Sequence, residues 1–120
     1  MIKLCTPADY YALAKHNEAV SDSIKNTHDD WHVTIRYYAA IHWVNGFLIK
    51  KFPRQYVPAG HDSRDRFVAK NKNELYKPLR QLESESEKLR YKPPYWKEIK
   101  PLDINKLEAD YQFLKTESNK

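Results

Sequence analysis

Histidine and arginine occur close together at two places in this sequence, and together they suit phosphate chemistry. His61 and Arg64 are three positions apart, and Arg36 and His42 are six apart. A histidine can move a proton near neutral pH, and an arginine can hold a phosphate with paired hydrogen bonds. His61 and Arg64 share one face of a predicted helix start, so both can reach the same anion. Arg36 and His42 point roughly 120° apart on a helix, so they would meet at one substrate only across a kink or a dimer seam.

Each pair also has a structural interpretation. His42 can lie in the core bonded to a backbone carbonyl, while Arg36 extends its charged end to solvent. His61 can cap a helix that carries Arg64 on its surface. The sequence leaves both interpretations open. The candidate catalytic residues are therefore His61, Arg64, His42 and Arg36.

Further cations and aromatic rings are candidates for nucleic-acid binding. Arg90 and Tyr91 end a predicted helix, where the arginine can pair with a phosphate or simply stabilise the helix end. Nine Tyr, three Trp and four Phe are available to stack on bases, although most are expected in the core. The candidate nucleic-acid contacts are Arg90, Tyr91, Tyr38, Lys50, Lys51 and Arg54.

Composition excludes several classes of protein. The chain has 120 residues, a net charge of +5 and a single cysteine, which predicts a cytoplasmic protein that favours polyanions. There is no glycine-rich phosphate loop, no dinucleotide fingerprint and no Cys/His spacing for zinc, so we expect neither cofactor nor metal. The most apolar stretch, residues 37–49, is shorter than the ~20 residues that span a bilayer, so no membrane association is expected.

The elements that would position these side chains are all helical. Only two glycines occur, and the apolar residues recur at helical spacing, which predicts one all-α domain over residues 1–120. We expect four or five helices, mainly antiparallel. The predicted helices cover about residues 7–24, 29–51, 61–72, 74–90 and 103–116.

Several residues set the predicted helix ends. Thr6 and Pro7 begin the first helix, Pro53 ends the second, and residues 53–60 form a loop. His61, Asp62 and Ser63 are expected to cap the third helix, and Asp103 the last. Pro78 must lie in the first turn of the fourth helix or kink it. Tyr95 and Trp96 are expected to pack against the bundle.

The order of these motifs resembles the HEPN superfamily. The matching positions are Tyr-Tyr-Ala-Ala-Ile-His at 37–42, a proline-containing loop, His61 and Arg64, Tyr76 and Leu79, and Ser86 with Arg90 and Tyr91. The resemblance covers about residues 31–91. It implies a four- or five-helix bundle with a core of about residues 6–116, often dimeric, whose active members cut RNA without a metal. Arg36 and His42 match the nuclease spacing, but Tyr37 occupies a position that is usually polar, and the helix is an early one.

The resemblance implies a domain acting on RNA, as a metal-independent ribonuclease of a toxin or defence system. His61 or His42 would move the proton of the 2′-hydroxyl, and Arg64, Arg36 or Arg90 would stabilise the phosphorane. One alternative is a non-catalytic helical dimer or adaptor with a cognate antitoxin or operon partner. Another is nucleic-acid binding without cleavage. A homodimer is the expected assembly.

Overall fold

The computed structural model describes residues 5–92, Lys97, Ile99 and residues 101–120. This part of the chain is helical and contains no strand, as the sequence predicts. The helices are α1 (Pro7–Ile24), α2 (Asp29–Lys51), α3 (His61–Asn71), α4 (Tyr76–Tyr91) and α5 (Pro101–Ser118), with a 3-10 turn at Asn73–Leu75. None of the described helices has both the length and the apolar character that crossing a membrane requires.

α1 begins with reciprocal hydrogen bonds between Thr6 and Asp9. The Asp9 backbone N–H donates to Thr6 Oγ1 at 3.2 Å, and the Thr6 N–H donates to the Asp9 carboxylate at 2.8 Å. Pro7 occupies the first helical position, where its missing N–H costs nothing. Asn26 then adopts a positive φ of 70°, which turns the chain from α1 into α2.

α2 is the central helix, and it packs against α1, α4 and α5. Trp43, Val44 and Leu48 are fully buried or nearly so. The inward residues of α5 are also buried, namely Ile104, Leu107, Tyr111 and Leu114. The side of α2 that carries Trp31 and Tyr38 is more open, because these residues are 53% and 37% exposed.

Buried polar contacts fix α1, α2 and α5 against one another. The Trp43 indole N–H donates to the Tyr111 hydroxyl at 3.0 Å, and that hydroxyl donates to Glu18 at 2.6 Å. Burial, together with the Glu18 carboxylate, raises the pKa of Tyr111, so the hydroxyl keeps its proton and remains a donor. Lys115 completes the group with an ion pair to Glu18 at 2.9 Å.

Two predicted helix ends need correction, and a third is as expected. Gly60, with φ of 121°, is the N-cap of α3, and no side chain caps this helix, so the predicted capping by residues 61–63 is wrong. Pro78 lies in the first turn of α4, which is one of the two expected positions. α5 begins at Pro101, so Asp103 lies within its first turn and does not cap it. Tyr95 and Trp96 lie outside the described residues.

Candidate functional site

An open cleft of about 450 Å³ brings together three separate segments that the sequence singled out. We call it the His61 cleft. Its sides come from the middle of α2, the start of α3 and the second half of α4. The residues that line it are Tyr37, Tyr38, Ile41, His61, Arg64, Glu83, Glu87, Arg90 and Tyr91. Four of these, His61, Arg64, Arg90 and Tyr91, come from segments far apart in sequence, so the fold creates the juxtaposition.

His61 is an exposed ionisable group of the cleft. Its side chain is 62% exposed, and its Nε2 lies 3.3 Å from the Asp62 carboxylate. It is the first residue of α3 and follows directly on Gly60, whose positive φ is costly for any residue with a side chain. Gly60 therefore sets the direction in which the chain enters α3. The imidazole is therefore open to solvent and to a bound ligand.

Arg64 is in the opposite situation, because it is only 4% exposed and makes its hydrogen bonds within the fold. Its Nε donates to Asp65 at 3.2 Å, and its Nη2 donates to the Tyr37 hydroxyl at 3.2 Å. The same Nη2 lies 3.6 Å from Glu83 Oε2. Arg64 therefore holds α2, α3 and α4 together below the cleft.

Glu83 forms the floor of the cleft and is 7% exposed. Its Oε1 pairs with Arg80 at 2.9 Å, while its Oε2 is buried and has no hydrogen-bond partner in the described part of the chain. Burial and the neighbouring Asp65 raise the pKa of Glu83, although Arg80 and Arg64 oppose the shift. Glu83 Oε2 is therefore an acceptor that lies 3.6 Å from Arg64 Nη2 but receives no hydrogen bond from the residues described.

Tyr37 beside Arg64 keeps its proton as well. Burial raises the pKa of Tyr37 to about 12, even though the Arg64 charge acts to lower it. Its hydroxyl is therefore neutral at physiological pH and accepts a hydrogen bond from Arg64.

Arg90 is the partly exposed cation of the cleft. Its Nη1 donates to the Tyr38 hydroxyl at 2.7 Å, and its Nε donates to the Ser86 carbonyl at 3.2 Å. The guanidinium carbon lies 5.0 Å from the Tyr91 ring centroid and 5.5 Å from that of Tyr38. These contacts orient the guanidinium and leave donors for an anion, because an arginine carries five N–H groups.

Arg36 and His42 do not line this cleft. Arg36 is buried and forms two hydrogen bonds with the Glu108 carboxylate, at 2.9 and 2.8 Å, and an ion pair with Asp22 at 2.9 Å. Its guanidinium also lies 4.6 Å from the Tyr111 ring centroid. Arg36 thus joins α1, α2 and α5. The structural interpretation placed its charged end in solvent, and that prediction is wrong.

His42 is half-buried beside Tyr10, with the ring centroids 6.1 Å apart. Burial lowers the pKa of His42, which favours the neutral imidazole at pH 7. Its Nδ1 is buried without a hydrogen-bond partner among the residues described, so the backbone contact that its structural interpretation requires is not observed at this atom. Within one chain, Arg36 and His42 do not meet at a common site.

The remaining candidates divide between two places. Tyr38, Arg90 and Tyr91 line the His61 cleft. Lys50 and Lys51 line a different cleft at the end of α2, and Arg54 is exposed in the turn that follows. Among the described residues, no three His, Cys, Asp or Glu side chains are grouped in a way that could hold a metal ion.

With the geometry of the site established, the chain can be compared with known proteins. No family model, curated protein or solved structure matches this chain. The HEPN resemblance therefore stays a prediction from the motifs, and the site must be interpreted from its own side chains.

The sequence pattern did not single out Glu83. The residue follows Leu79 and Leu82 and precedes Ser86, at the spacing of the buried face of α4, and all four are buried. A glutamate on an otherwise core-facing stripe is unusual, because a buried carboxylate requires partners. The position of Glu83 on the buried face was thus the signal that could have identified it. The run of serine and charged residues at 84–88 drew attention away from that position.

Proposed function

We propose that this protein is a HEPN-like domain that acts on RNA, and that the His61 cleft cleaves the RNA with protein side chains and no metal ion. The single observation that supports this proposal is that an exposed imidazole and an oriented, partly exposed guanidinium line the same open cleft. An imidazole to move protons and a cation to hold a phosphate are the two groups that such cleavage requires.

The proposed reaction is a transesterification. The 2′-oxygen attacks the adjacent phosphorus, the bond from phosphorus to the 5′-oxygen breaks, and a 2′,3′-cyclic phosphate and a 5′-hydroxyl result. His61 accepts the proton that leaves the 2′-hydroxyl, and it donates a proton to the departing 5′-oxygen. Arg90 holds the phosphate oxygens, while Arg64 positions Tyr37 and the floor of the cleft. Tyr91, 69% exposed beside Arg90, offers a ring on which a base can stack.

The test compares cleavage of end-labelled RNA oligonucleotides by matched variants. His61→Ala should lower the rate on the order of 100-fold or more, because it removes the proton-transfer group. Arg90→Ala should lower it by a similar factor, because the charge of the phosphorane loses its partner. His16→Ala and Arg66→Ala are the controls, since both residues are exposed and lie outside the cleft.

Catalysis by this cleft is excluded if folded wild-type protein leaves varied RNAs intact, or if His61→Ala cleaves as well as His16→Ala. Activity that disappears with a chelator would contradict the metal-independent reaction. RNA binding that weakens with salt, without any cleavage, would instead support a binding protein.

The commitment of Arg64 favours a second candidate function. A buried arginine held by Asp65, Tyr37 and Glu83 is typical of a structural residue. The protein would then be a helical homodimer or adaptor that recognises a cognate antitoxin or another operon partner. Sedimentation would then show a dimer. His61→Ala would leave the stability of that dimer unchanged, and neither wild-type protein nor this variant would cleave RNA.

A further inference from the structure

A second cleft, of about 520 Å³, lies at the C-terminal end of α2. We call it the lysine cleft. Phe47, Lys50 and Lys51 line it from α2, Lys72 lines it just after α3, and Ser118 and Lys120 line it from the end of α5. No residue lines both this cleft and the His61 cleft. The lysine cleft is therefore a separate place on the molecule.

The charges around the lysine cleft are poorly balanced. Neither Lys50 nor Lys51 has an ion pair with any residue that the structure describes. Lys72 pairs with Glu74 at 3.0 Å, and Lys120 pairs with Glu117 at 2.7 Å. Four lysines line the cleft, and two of them are neutralised by Glu74 and Glu117, so an excess of two positive charges remains. Such an arrangement repels itself and favours an anion.

Ser118 provides a second, independent observation. The residue is 2% exposed and lines the cleft, and its Oγ is buried without a hydrogen-bond partner in the described part of the chain. The Tyr11 hydroxyl donates to the Ser118 carbonyl at 3.2 Å and holds this last turn of α5 in place. A buried hydroxyl without a partner costs free energy, so it usually indicates a contact still to be made.

We propose that the lysine cleft binds a ligand that carries a phosphate group. A phosphate monoester carries about −1.5 to −2 charges at pH 7, which matches the excess of two positive charges. Lys50 and Lys51 contact phosphate oxygens with ammonium groups that have no other partner. Rotation of the Ser118 side chain brings its buried hydroxyl to another phosphate oxygen, and the hydroxyl so gains its missing hydrogen bond. This site does not depend on the function proposed for the His61 cleft.

The experiment is titration calorimetry with inorganic tripolyphosphate at low salt. Wild-type protein should bind one tripolyphosphate per chain. Lys51→Ala should weaken binding at least fivefold. Lys25→Ala is the control and should leave binding unchanged, because this substitution removes the same charge from an exposed position at the end of α1, away from the cleft. Equal losses in these two variants would show a general effect of net charge and would overturn the proposal.

Ser118→Ala separates a built site from a surface rich in lysine, because it changes no charge. Binding should weaken several-fold, while the melting temperature without ligand should stay the same or rise by a few degrees, since an unpartnered buried hydroxyl has been removed. A variant that binds tripolyphosphate as tightly as wild type would contradict the proposed role of the hydroxyl and, with it, the site.

Competition identifies the source of the phosphates. If the natural ligand is a nucleic-acid backbone, tripolyphosphate should displace a single-stranded RNA, and Lys51→Ala should weaken the binding of both. If it is a free polyphosphate, RNA should not compete. Failure of wild-type protein to bind either ligand would overturn the proposal and would leave the reaction proposed for the His61 cleft to be judged by its own assay.

Discussion

Two arginines next to the same cleft have different tasks, and their surroundings distinguish them. Arg64 is buried, and its guanidinium contacts Asp65, Tyr37 and Glu83. Arg90 is partly exposed, and its guanidinium lies near two tyrosine rings. Removing a buried ion-pair partner leaves other charges without compensation, whereas removing a surface cation does not. Arg64 therefore stabilises the fold, whereas Arg90 remains available for the ligand that we propose.

Alanine at each position should separate these tasks. Arg64→Ala should lower the free energy of unfolding by about 3 kcal/mol or more, because Asp65 and Glu83 lose a buried partner. Arg90→Ala should lower it by less than about 1 kcal/mol. Urea denaturation followed by circular dichroism measures both. Equal stability of the two variants would contradict the distinction between them.

Sequence patterns located these residues but could not assign their partners. His61 and Arg64 line one cleft, because three positions on a helix are a local property, but their spacing does not show that Arg64 is buried and bonded to Asp65 and Tyr37. Arg36 could not be assigned in this way, since its partner Glu108 lies 72 residues later in the chain. Long-range ion pairs follow from the packing of the helices, and no local pattern shows them.

At the scale of the elements, the contact between α1 and α2 depends on one glycine. A Cβ atom added to Gly46 would lie 2.7 Å from Cε1 of Tyr11 and 3.2 Å from the Pro7 carbonyl oxygen. Tyr11 is packed against Trp43, with ring centroids 5.5 Å apart, so the ring has little room to move. Gly46 is therefore retained inside a helix, where glycine is otherwise unfavourable.

Gly46→Ala should consequently lower the free energy of unfolding by about 1–3 kcal/mol, despite the better helix propensity of alanine. Thermal denaturation measures the loss. In a Tyr11→Ala background the same substitution should cost much less, because the clashing ring is absent. Strictly additive losses in the double variant would show that the Tyr11 contact is not the cause.

The helices themselves were largely predictable, because their signals are local. Thr6, Pro7 and Asp9 specify the start of α1, and the apolar spacing of α5 correctly identified its buried face. The start of α3 was predicted less well. The N-cap residue is Gly60, which has a positive φ and makes no side-chain hydrogen bond to the helix. Its conformation depends on the path of the whole preceding loop.

At the scale of the whole molecule, two ionic networks hold the helices together. Glu18, Arg36 and Glu108 connect α1, α2 and α5, while Arg64, Asp65, Glu83 and Arg80 connect α2, α3 and α4. The two networks respond oppositely to acid. Burial acts to raise the pKa values of Glu18 and Glu108, but hydrogen bonds and cations outweigh it and lower both. The pKa of Glu83 is raised.

These directions predict how stability depends on pH. Glu18 and Glu108 stabilise the fold above their ordinary pKa of 4.5, and that contribution is lost as the pH falls from 4.5 through their lowered folded-state pKa values. Glu83 binds its proton more readily in the folded state, so it acts in the opposite direction between its raised pKa and 4.5. The free energy of unfolding should change little from pH 7 to 5 and fall steeply below about 4.5.

Glu108→Gln tests the assignment to the first network. This variant should lose about 2 kcal/mol at pH 7, because Arg36 loses a charged acceptor, and its stability should fall less steeply in acid. Glu87→Gln is the control, since Glu87 is exposed on α4. An identical acid dependence in both variants would show that other carboxylates dominate.

Neighbouring positions 37 and 38 have a consequence for anyone who wishes to redesign this protein. Tyr37 belongs to the buried ionic network, and Tyr38 lines the His61 cleft with Arg90. Most side chains that line the cleft are therefore not part of the network that supports it. Randomising only the codons of Tyr38, His61, Arg90 and Tyr91 should change what the cleft recognises, while the melting temperature changes little.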